Sequence, residues 1–147
     1  MAVELTAPAV QTVQNGGNVL FTDTPVGYNR GYVVHRQGAG IVTLRGISCQ
    51  RARYKVTFGG NIAIAEGGTV APISVAIAIN GEPLPATTMT VTPAAVGDFF
   101  NVSRTTFIDV PCGCCVTIAV ENVTLTAAGV AIPIDVQNAN IVIERVA

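Results

Sequence analysis

The stretch RARYKVTFGGNIAIA, residues 51–65, shows the clearest structural pattern in this chain. Apolar and polar side chains alternate through its first half, with Tyr54, Val56 and Phe58 against Arg53, Lys55 and Thr57. Because successive side chains of a β-strand point to opposite faces of a sheet, this alternation predicts a strand with one buried and one solvated face. The pair Gly59-Gly60 predicts a bulge or bend within that strand.

The same kind of pattern continues outward in both directions, because β-branched residues recur between short runs rich in Gly, Pro and Asn. Further strands are predicted at residues 18–24, 32–35, 41–44, 73–80, 87–92, 101–110, 115–125 and 140–146. Asn80-Gly81 is the strongest hairpin signal between them. A series of strands without helical periodicity favours an all-β, antiparallel two-sheet jelly-roll sandwich over an immunoglobulin sandwich, since the chain contains no Trp.

The length of 147 residues suits a single domain with its own core. The jelly roll is predicted to span residues 17–147, and residues 1–16 are predicted to form an N-terminal arm or linker outside it. Hydrophobic residues make up 50% of the chain and charged residues only 12%. This balance predicts that some apolar surface is buried against further copies of the chain.

The overall charge argues against several classes of partner. The formal net charge is -1 and the sequence pI is about 5.7. Nucleic-acid binding needs a basic face, and binding to anionic membranes needs basic clusters, so neither partner is expected. No apolar run is long enough for a transmembrane helix, and the N-terminus lacks the pattern of a secretory signal.

The motif PCGCC, residues 111–115, is the main candidate for metal or redox chemistry. A zinc site is conceivable only if Cys112, Cys114 and Cys115 meet Cys49 or His35, and this spacing fits no common zinc pattern. A redox centre lacks the βαβ context that such motifs have, and a disulfide needs an oxidising compartment. The favoured interpretation is a turn followed by small, apolar-like cysteines, with no metal and no cofactor.

Enzymatic activity is not expected from the remaining residues. His35 is the single histidine, and no G-x-S-x-G nucleophile motif accompanies it. The carboxylates are scattered singly, and neither a calcium-binding loop nor a phosphate-binding loop is present.

Arg45, Arg51, Arg53 and Lys55 form the one basic cluster in the sequence. Such a cluster fits contact with an acidic surface of a partner. The simpler interpretation is the solvated face of an alternating strand, where charged side chains also discourage pairing between sheet edges.

The order of these motifs resembles the C1q/tumour-necrosis-factor-like jelly-roll superfamily. The resemblance rests on the segments NVLFTDTPV, GAGIVTL, RARYKVTFGGNIAI, SVAIAINGEPL and ANIVIERV. Its finer features are the apolar pair Leu20-Phe21, the G-x-G-x-[ILV]-x-[IL] pattern of residues 38–44 and the Y-x-[IV]-x-[FY] pattern of residues 54–58. It is strongest for the bacterial and phage branch, which includes domains of spore-surface glycoproteins and phage head-fibre or capsid decoration proteins.

The resemblance implies a non-enzymatic homotrimer whose protomers pack around a three-fold axis by one apolar sheet face. It implies a structural protein on a particle surface, with a phage virion preferred and attachment to the capsid through residues 1–16. The alternative is a receptor- or glycan-binding tip of a phage fibre, or of a bacterial cell or spore surface. Two departures from the family are the low aromatic content of 5% and the absence of a collagen-like stalk.

Overall fold

A computed structural model describes residues 2–27, 31–46, 51–113, 115–124 and 132–147. In chain order, the strands of these residues are β1 (Ala2–Ala7), β2 (Gln11–Val13), β3 (Asp23–Val26), β4 (Val33–His35), β5 (Val42–Arg45), β6 (Ala52–Ile64), β7 (Ile73–Ile79), β8 (Glu82–Pro83), β9 (Met89–Val91), β10 (Phe100–Val110), β11 (Cys115–Asn122) and β12 (Ile134–Arg145). A single 3-10 turn, Pro85–Thr87, precedes β9. In this described part of the chain, no helix has the length and apolarity needed to cross a bilayer.

The strands form two antiparallel sheets around one core. Sheet A has the order β10-β6-β12-β1-β3, with β2 also paired to β12. Sheet B has the order β4-β5-β11-β7-β8, with β9 also paired to β7. Buried side chains from both sheets belong to a single hydrophobic cluster. The predicted all-β, two-sheet architecture is therefore confirmed.

Strand β6 lies inside sheet A, between β10 and β12. Its predicted alternation is confirmed, because Tyr54, Val56 and Phe58 are fully buried in the core. The Tyr54 hydroxyl also donates a hydrogen bond to the Arg45 carbonyl oxygen of sheet B at 2.6 Å. Thus β6 both fills the core and links the two sheets.

The irregularity predicted at Gly59-Gly60 lies on the neighbouring strand instead. Strand β10 pairs with both glycines in unbroken register, whereas the register of β12 shifts across residues 137–140. Asn138 there has φ 53°, in the left-handed region. A Cβ on Gly60 would lie 3.5 Å from the Ala139 Cα and 3.2 Å from the Phe58 ring, so Gly60 leaves room for the bulge of β12.

The prediction that residues 1–16 form an arm is wrong. Strand β1 pairs with β12 on one side and β3 on the other, and β2 also pairs with β12. Val3, Leu5 and Ala7 are buried in the core, so this segment is part of the sandwich. The segment does alternate as a strand would, with Val3, Leu5 and Ala7 against Glu4 and Thr6. Nothing in the sequence indicated that it joins the sandwich, because its partner strand lies at the other end of the chain.

The strand predicted at residues 18–24 is divided between the two sheets. Val19 and Phe21 are buried as expected for a core segment. However, the Val19 N–H donates to the Val120 carbonyl of sheet B, while the Thr22 N–H donates to the Thr6 carbonyl of sheet A. The regular strand β3 begins only at Asp23, because the preceding residues cross from one sheet to the other.

The Asn80-Gly81 hairpin is confirmed. Asn80 has φ 51° and Gly81 has φ 85°, and the turn joins β7 to β8. Two positive φ angles match a type I′ turn, whose twist suits an antiparallel pair. Asn80 also accepts a hydrogen bond from the Thr117 N–H at 3.0 Å, which ties the turn to β11.

A buried polar network closes one end of the sandwich. The Asn122 side chain is fully buried, and its amide nitrogen donates to the carbonyls of Val13 at 3.0 Å and Ile132 at 3.1 Å. Its oxygen accepts from both the N–H and the hydroxyl of Thr124, at 3.1 and 2.6 Å. The Ser74 N–H in turn donates to the Thr124 hydroxyl at 3.1 Å. Because each polar group has a partner, the network joins β2, β7 and β11 without an unsatisfied amide.

Candidate functional site on the outer face of sheet A

The outer face of sheet A, which points away from the core, carries a compact group of charged and aromatic side chains. The strand register places Phe107 opposite Lys55, and Lys55 opposite Glu144. Two residues further along β10, Asp109 lies opposite Arg53 of β6. These five residues are called the Phe107 patch.

Phe107 is the most exposed large hydrophobic side chain that the structure describes, with 60% of its surface accessible. It projects from a regular strand of eleven residues. Phe107, Arg53 and Asp109 line an open cavity of about 380 Å³. Burying such a ring would remove a large apolar area from water, so Phe107 is a candidate contact residue.

The Arg53 guanidinium and the Asp109 carboxylate form a two-point ion pair beside Phe107. The Arg53 Nε donates to Oδ1 at 2.7 Å, and Nη2 donates to Oδ2 at 3.1 Å. The hydrogen bond from Arg53 lowers the pKa of Asp109 from its ordinary value, and the nearby charges of Arg53 and Arg51 add to this effect. The same hydrogen bond raises the pKa of Arg53. This exposed pair contributes orientation more than stability.

The predicted basic cluster is divided by the fold. Arg53 and Lys55 lie in the Phe107 patch, and an Arg51 nitrogen lies 4.0 Å from an Asp109 oxygen. Arg45 belongs to sheet B, where it pairs with Cys115 in the strand register. Phe107, Asp109 and Glu144 were not singled out from the sequence. The alternation in NVSRTTFIDV placed Phe107 and Asp109 on one face, but only the pairing of β10 with β6 brings them to the basic residues.

Comparison with known proteins shows the fold. No family model and no curated protein matches the sequence. The globular domain of zebrafish complement 1qA matches the structure with a TM-score of 0.56 at 12% identity, covering 99% of this chain and 94% of that one. The protein has a C1q/TNF-like jelly-roll fold. Pika GITRL also matches over 100% of this chain and 97% of that one, at 13% identity, but its TM-score of 0.47 adds nothing to the assignment.

The cysteine motif lies at the turn between β10 and β11 of the jelly roll. Cys112 and Cys115 have exposed side chains, and Gly113 between them has φ 67°, which a turn at this point requires. Cys49 and Cys114, the other cysteines considered as zinc ligands, lie outside the described residues. The zinc hypothesis therefore stays untested for these two positions.

His35 is placed away from this turn by the strand register. His35 pairs with Val42 at the start of β5, whereas Cys115 pairs with Arg45 at the end of β5. The His35 Nε2–H donates to the Ala39 carbonyl at 2.8 Å, and Nδ1 is buried. His35 is therefore partly buried. Within the described ranges, no three His, Cys, Asp or Glu side chains lie close enough to hold a metal ion.

The outer face of sheet B differs in character from the Phe107 patch. Ala76 and Ala78 of β7, and Ala119 of β11, point away from the core cluster but are nevertheless buried. Beside them, burial raises the pKa of Glu121, with a smaller contribution from the negative charge of Glu82. A cleft of about 150 Å³ runs over Ala78 and Ala119. This face has small side chains and little exposed apolar surface at its centre.

Proposed function

We propose that this protein is a non-enzymatic structural protein that assembles as a homotrimer through the Phe107 patch and decorates a larger particle, such as a phage virion. The single observation that carries the proposal is the exposure of Phe107 on a regular strand. Removing an aromatic side chain of this size from water stabilises an assembly by about 1.5–3 kcal/mol per copy. In a closed ring of identical subunits, every copy of such a surface is buried.

The position of β10 also supports association at the edge of sheet A that carries Phe107. Among the described strands, β10 lies at the edge of sheet A and pairs only with β6. It is eleven residues long and carries few charges. A long edge strand left bare is a known liability in single chains, so a partner that covers it is favourable.

The role on a particle surface rests on the resemblance to bacterial and phage jelly rolls. It does not rest on an N-terminal arm, since residues 2–13 belong to the sandwich. The proposed contact of these residues with a capsid is therefore through a surface of the folded domain. Three copies of one weak contact give the avidity that a single chain lacks.

Native mass measurement tests the trimer. A species of three times 15.1 kDa is expected at micromolar concentration, and a chain that stays monomeric there contradicts the proposal. Phe107→Ser is expected to weaken assembly by about tenfold or more, because the residue is the apolar centre of the patch. Ile41→Ser is the matched control, since Ile41 is 53% exposed but lies away from sheet A.

A glycan- or receptor-binding tip is the second candidate, and the cavity beside Phe107 favours it. Its lining combines an aromatic ring with a fixed guanidinium–carboxylate pair, a combination that suits a polar ring with one apolar face. Binding of the wild-type protein to a glycan array, lost in Phe107→Ser while the oligomeric mass stays unchanged, supports this candidate. No binding on the array, together with loss of the trimer in the variant, supports the first.

A further inference from the structure

An open cavity of about 450 Å³ lies on the outer face of sheet B, where β7 meets β8 and β9. Three prolines and a valine supply the apolar part of its lining, and Ser74, Thr88 and Thr90 supply hydroxyl groups. The volume falls within the range of about 300–1,000 Å³ that is usual for sites of small molecules. No residue of the Phe107 patch takes part in it, so this is a separate candidate binding site.

One wall of this cavity is held in place by a buried hydroxyl group. Between β8 and β9 the chain forms the 3-10 turn Pro85–Thr87, and Pro85 belongs to the lining. The Thr87 hydroxyl donates to the Leu84 carbonyl at 2.8 Å and accepts from the Ile77 N–H of β7 at 3.0 Å, so the turn is tied to the sheet. Because a proline ring has almost no side-chain freedom to lose on binding, a wall built from prolines is preorganised.

The polar part of the cavity is a pair of hydroxyl groups. Ser74 of β7 lies opposite Thr90 of β9, and the Ser74 Oγ is 2.8 Å from the Thr90 Oγ1. Ser74 is buried, and its N–H donates to the Thr124 hydroxyl at 3.1 Å, which fixes its position. One hydroxyl of the pair donates to the other, so the second hydroxyl hydrogen has no acceptor among the described residues. The pair can therefore bind one polar group of a ligand.

The charge and the apolar walls of the cavity select the rest of the ligand. Its described lining contains no charged side chain. A charged ligand would lose hydration there without gaining an ion pair, so a neutral ligand is favoured. The C–H groups of a proline ring carry partial positive charge, and the face of an aromatic ring is its negative region, so an aromatic ring packs well against prolines.

We infer that this cavity binds a neutral phenol, a small molecule whose aromatic ring packs against the prolines and whose hydroxyl group binds the Ser74–Thr90 pair. The inference goes beyond the proposed function, which uses the outer face of sheet A. The cavity lies on the outer face of the other sheet. An assembly through the Phe107 patch therefore leaves it accessible, and a chain that stays monomeric has the same site.

Titration of the full chain with 4-methylphenol, followed by NMR, tests the inference. Saturable shifts are expected at the backbone amides of Ser74, Thr88 and Thr90, while the amide of Lys55 on sheet A stays unchanged. Toluene has the same ring without the hydroxyl group and is expected to bind about three- to tenfold more weakly, since one hydrogen bond contributes about that factor. The anion 4-methylbenzoate is expected not to bind.

Two variants separate the hydroxyl pair from the apolar walls. Ser74→Ala combined with Thr90→Val replaces both hydroxyl partners by apolar groups, a change that costs little stability. In this double variant 4-methylphenol is expected to bind as weakly as toluene, while toluene binding stays within about twofold of the wild type. Thr88→Phe fills the cavity and is expected to weaken both ligands by about tenfold or more. Thr43→Val, on the same face but on β5, is the matched control and is expected to change neither.

Three results would overturn the inference. They are the absence of a saturable shift below about 10 mM 4-methylphenol, equal wild-type affinities for 4-methylphenol and either toluene or 4-methylbenzoate, and full 4-methylphenol affinity in the double variant. None of them depends on the trimer. Native mass measurement with and without 4-methylphenol is expected to give the same oligomeric state, so failure of this site and failure of the proposed assembly are distinguished.

Discussion

The outer faces of the two antiparallel sheets differ in the size and exposure of their side chains. On sheet B, Ala76, Ala78 and Ala119 are small and already buried within the single chain. On sheet A, the outer face carries Lys55 on β6 and the exposed ring of Phe107 on the edge strand β10. Burial on the far side of a sheet therefore does not follow from strand pairing alone. It also depends on the size of the side chain and on whether its strand lies inside the sheet, as β7 and β11 do, or at its edge, as β10 does.

This difference also affects the carboxylates. Asp109 on sheet A has a lowered pKa because Arg53 donates hydrogen bonds to it, whereas burial raises the pKa of Glu121 on sheet B. The first face holds these two charges in a two-point ion pair. On the second face, burial disfavours the charged form of Glu121.

The largest expected effect comes from breaking the network that holds the end of sheet B to sheet A. Asn122→Ala removes two donors to the Val13 and Ile132 carbonyls and the acceptor for Thr124. Buried groups left without partners are expected to lower the free energy of unfolding by roughly 2–4 kcal/mol. Chemical denaturation with urea measures this change.

Asn101→Ala is the matched control for Asn122→Ala. Asn101 is exposed, and its side chain bonds only to Asn61 and Gly60. A loss below about 1 kcal/mol is expected, because water replaces these partners. If the two variants lost the same free energy of unfolding, burial would not be the reason that the Asn122 network stabilises the fold.

An intermediate effect is expected from enlarging a small residue on each face. Ala76→Leu places extra methyl groups where the native side chain has no accessible surface, and overpacking is expected to cost about 1–3 kcal/mol. Ser103→Leu on the outer face of sheet A meets solvent, so its effect is expected to stay within about 0.5 kcal/mol. Thermal unfolding of the two variants measures the difference. If the two substitutions changed the melting temperature equally, the outer face of sheet B would be no more closely packed than that of sheet A.

The smallest effects concern the two carboxylates, and they have opposite signs. The raised pKa of Glu121 means that its contribution to stability is present below its ordinary value of 4.5 and is lost as pH rises through the higher pKa of the folded state. Glu121→Gln is therefore expected to raise the melting temperature slightly at pH 7 and to change it little at pH 4. Glu66→Gln, in an exposed turn, is the control. A lower melting temperature for Glu121→Gln at pH 7 would contradict the assigned burial penalty.

The lowered pKa of Asp109 has the reverse consequence. Its contribution is present above its ordinary value of 3.8 and is lost as pH falls through the lower pKa of the folded state. Titration of the Asp109 carboxyl by NMR is expected to give a pKa below 3.8, and Arg53→Gln is expected to return it toward 3.8. An unchanged titration in Arg53→Gln would assign the shift to something other than the ion pair.

Local pattern was sufficient for the strands that alternate strongly. The buried face of β6 and the Asn80-Gly81 turn were both predicted, because each depends on residues close together in the chain. The sequence did not predict β1 as a central strand, since its six residues pair with a strand at the opposite end of the chain. For the same reason it did not join Phe107 and Asp109 of β10 to the basic residues of β6.

The sequence by itself determined the class of fold and the two-faced character of each strong strand, because side-chain alternation and turn chemistry are local properties. Only the tertiary structure decided that residues 2–13 belong to the sandwich, that Arg45 is separated from Lys55, and that the bulge falls at Asn138 instead of Gly60. It also decided which outer face is left uncovered. These outcomes depend on strand order and register, which are set by the packing of distant segments into one core, and no short stretch of sequence contains that information.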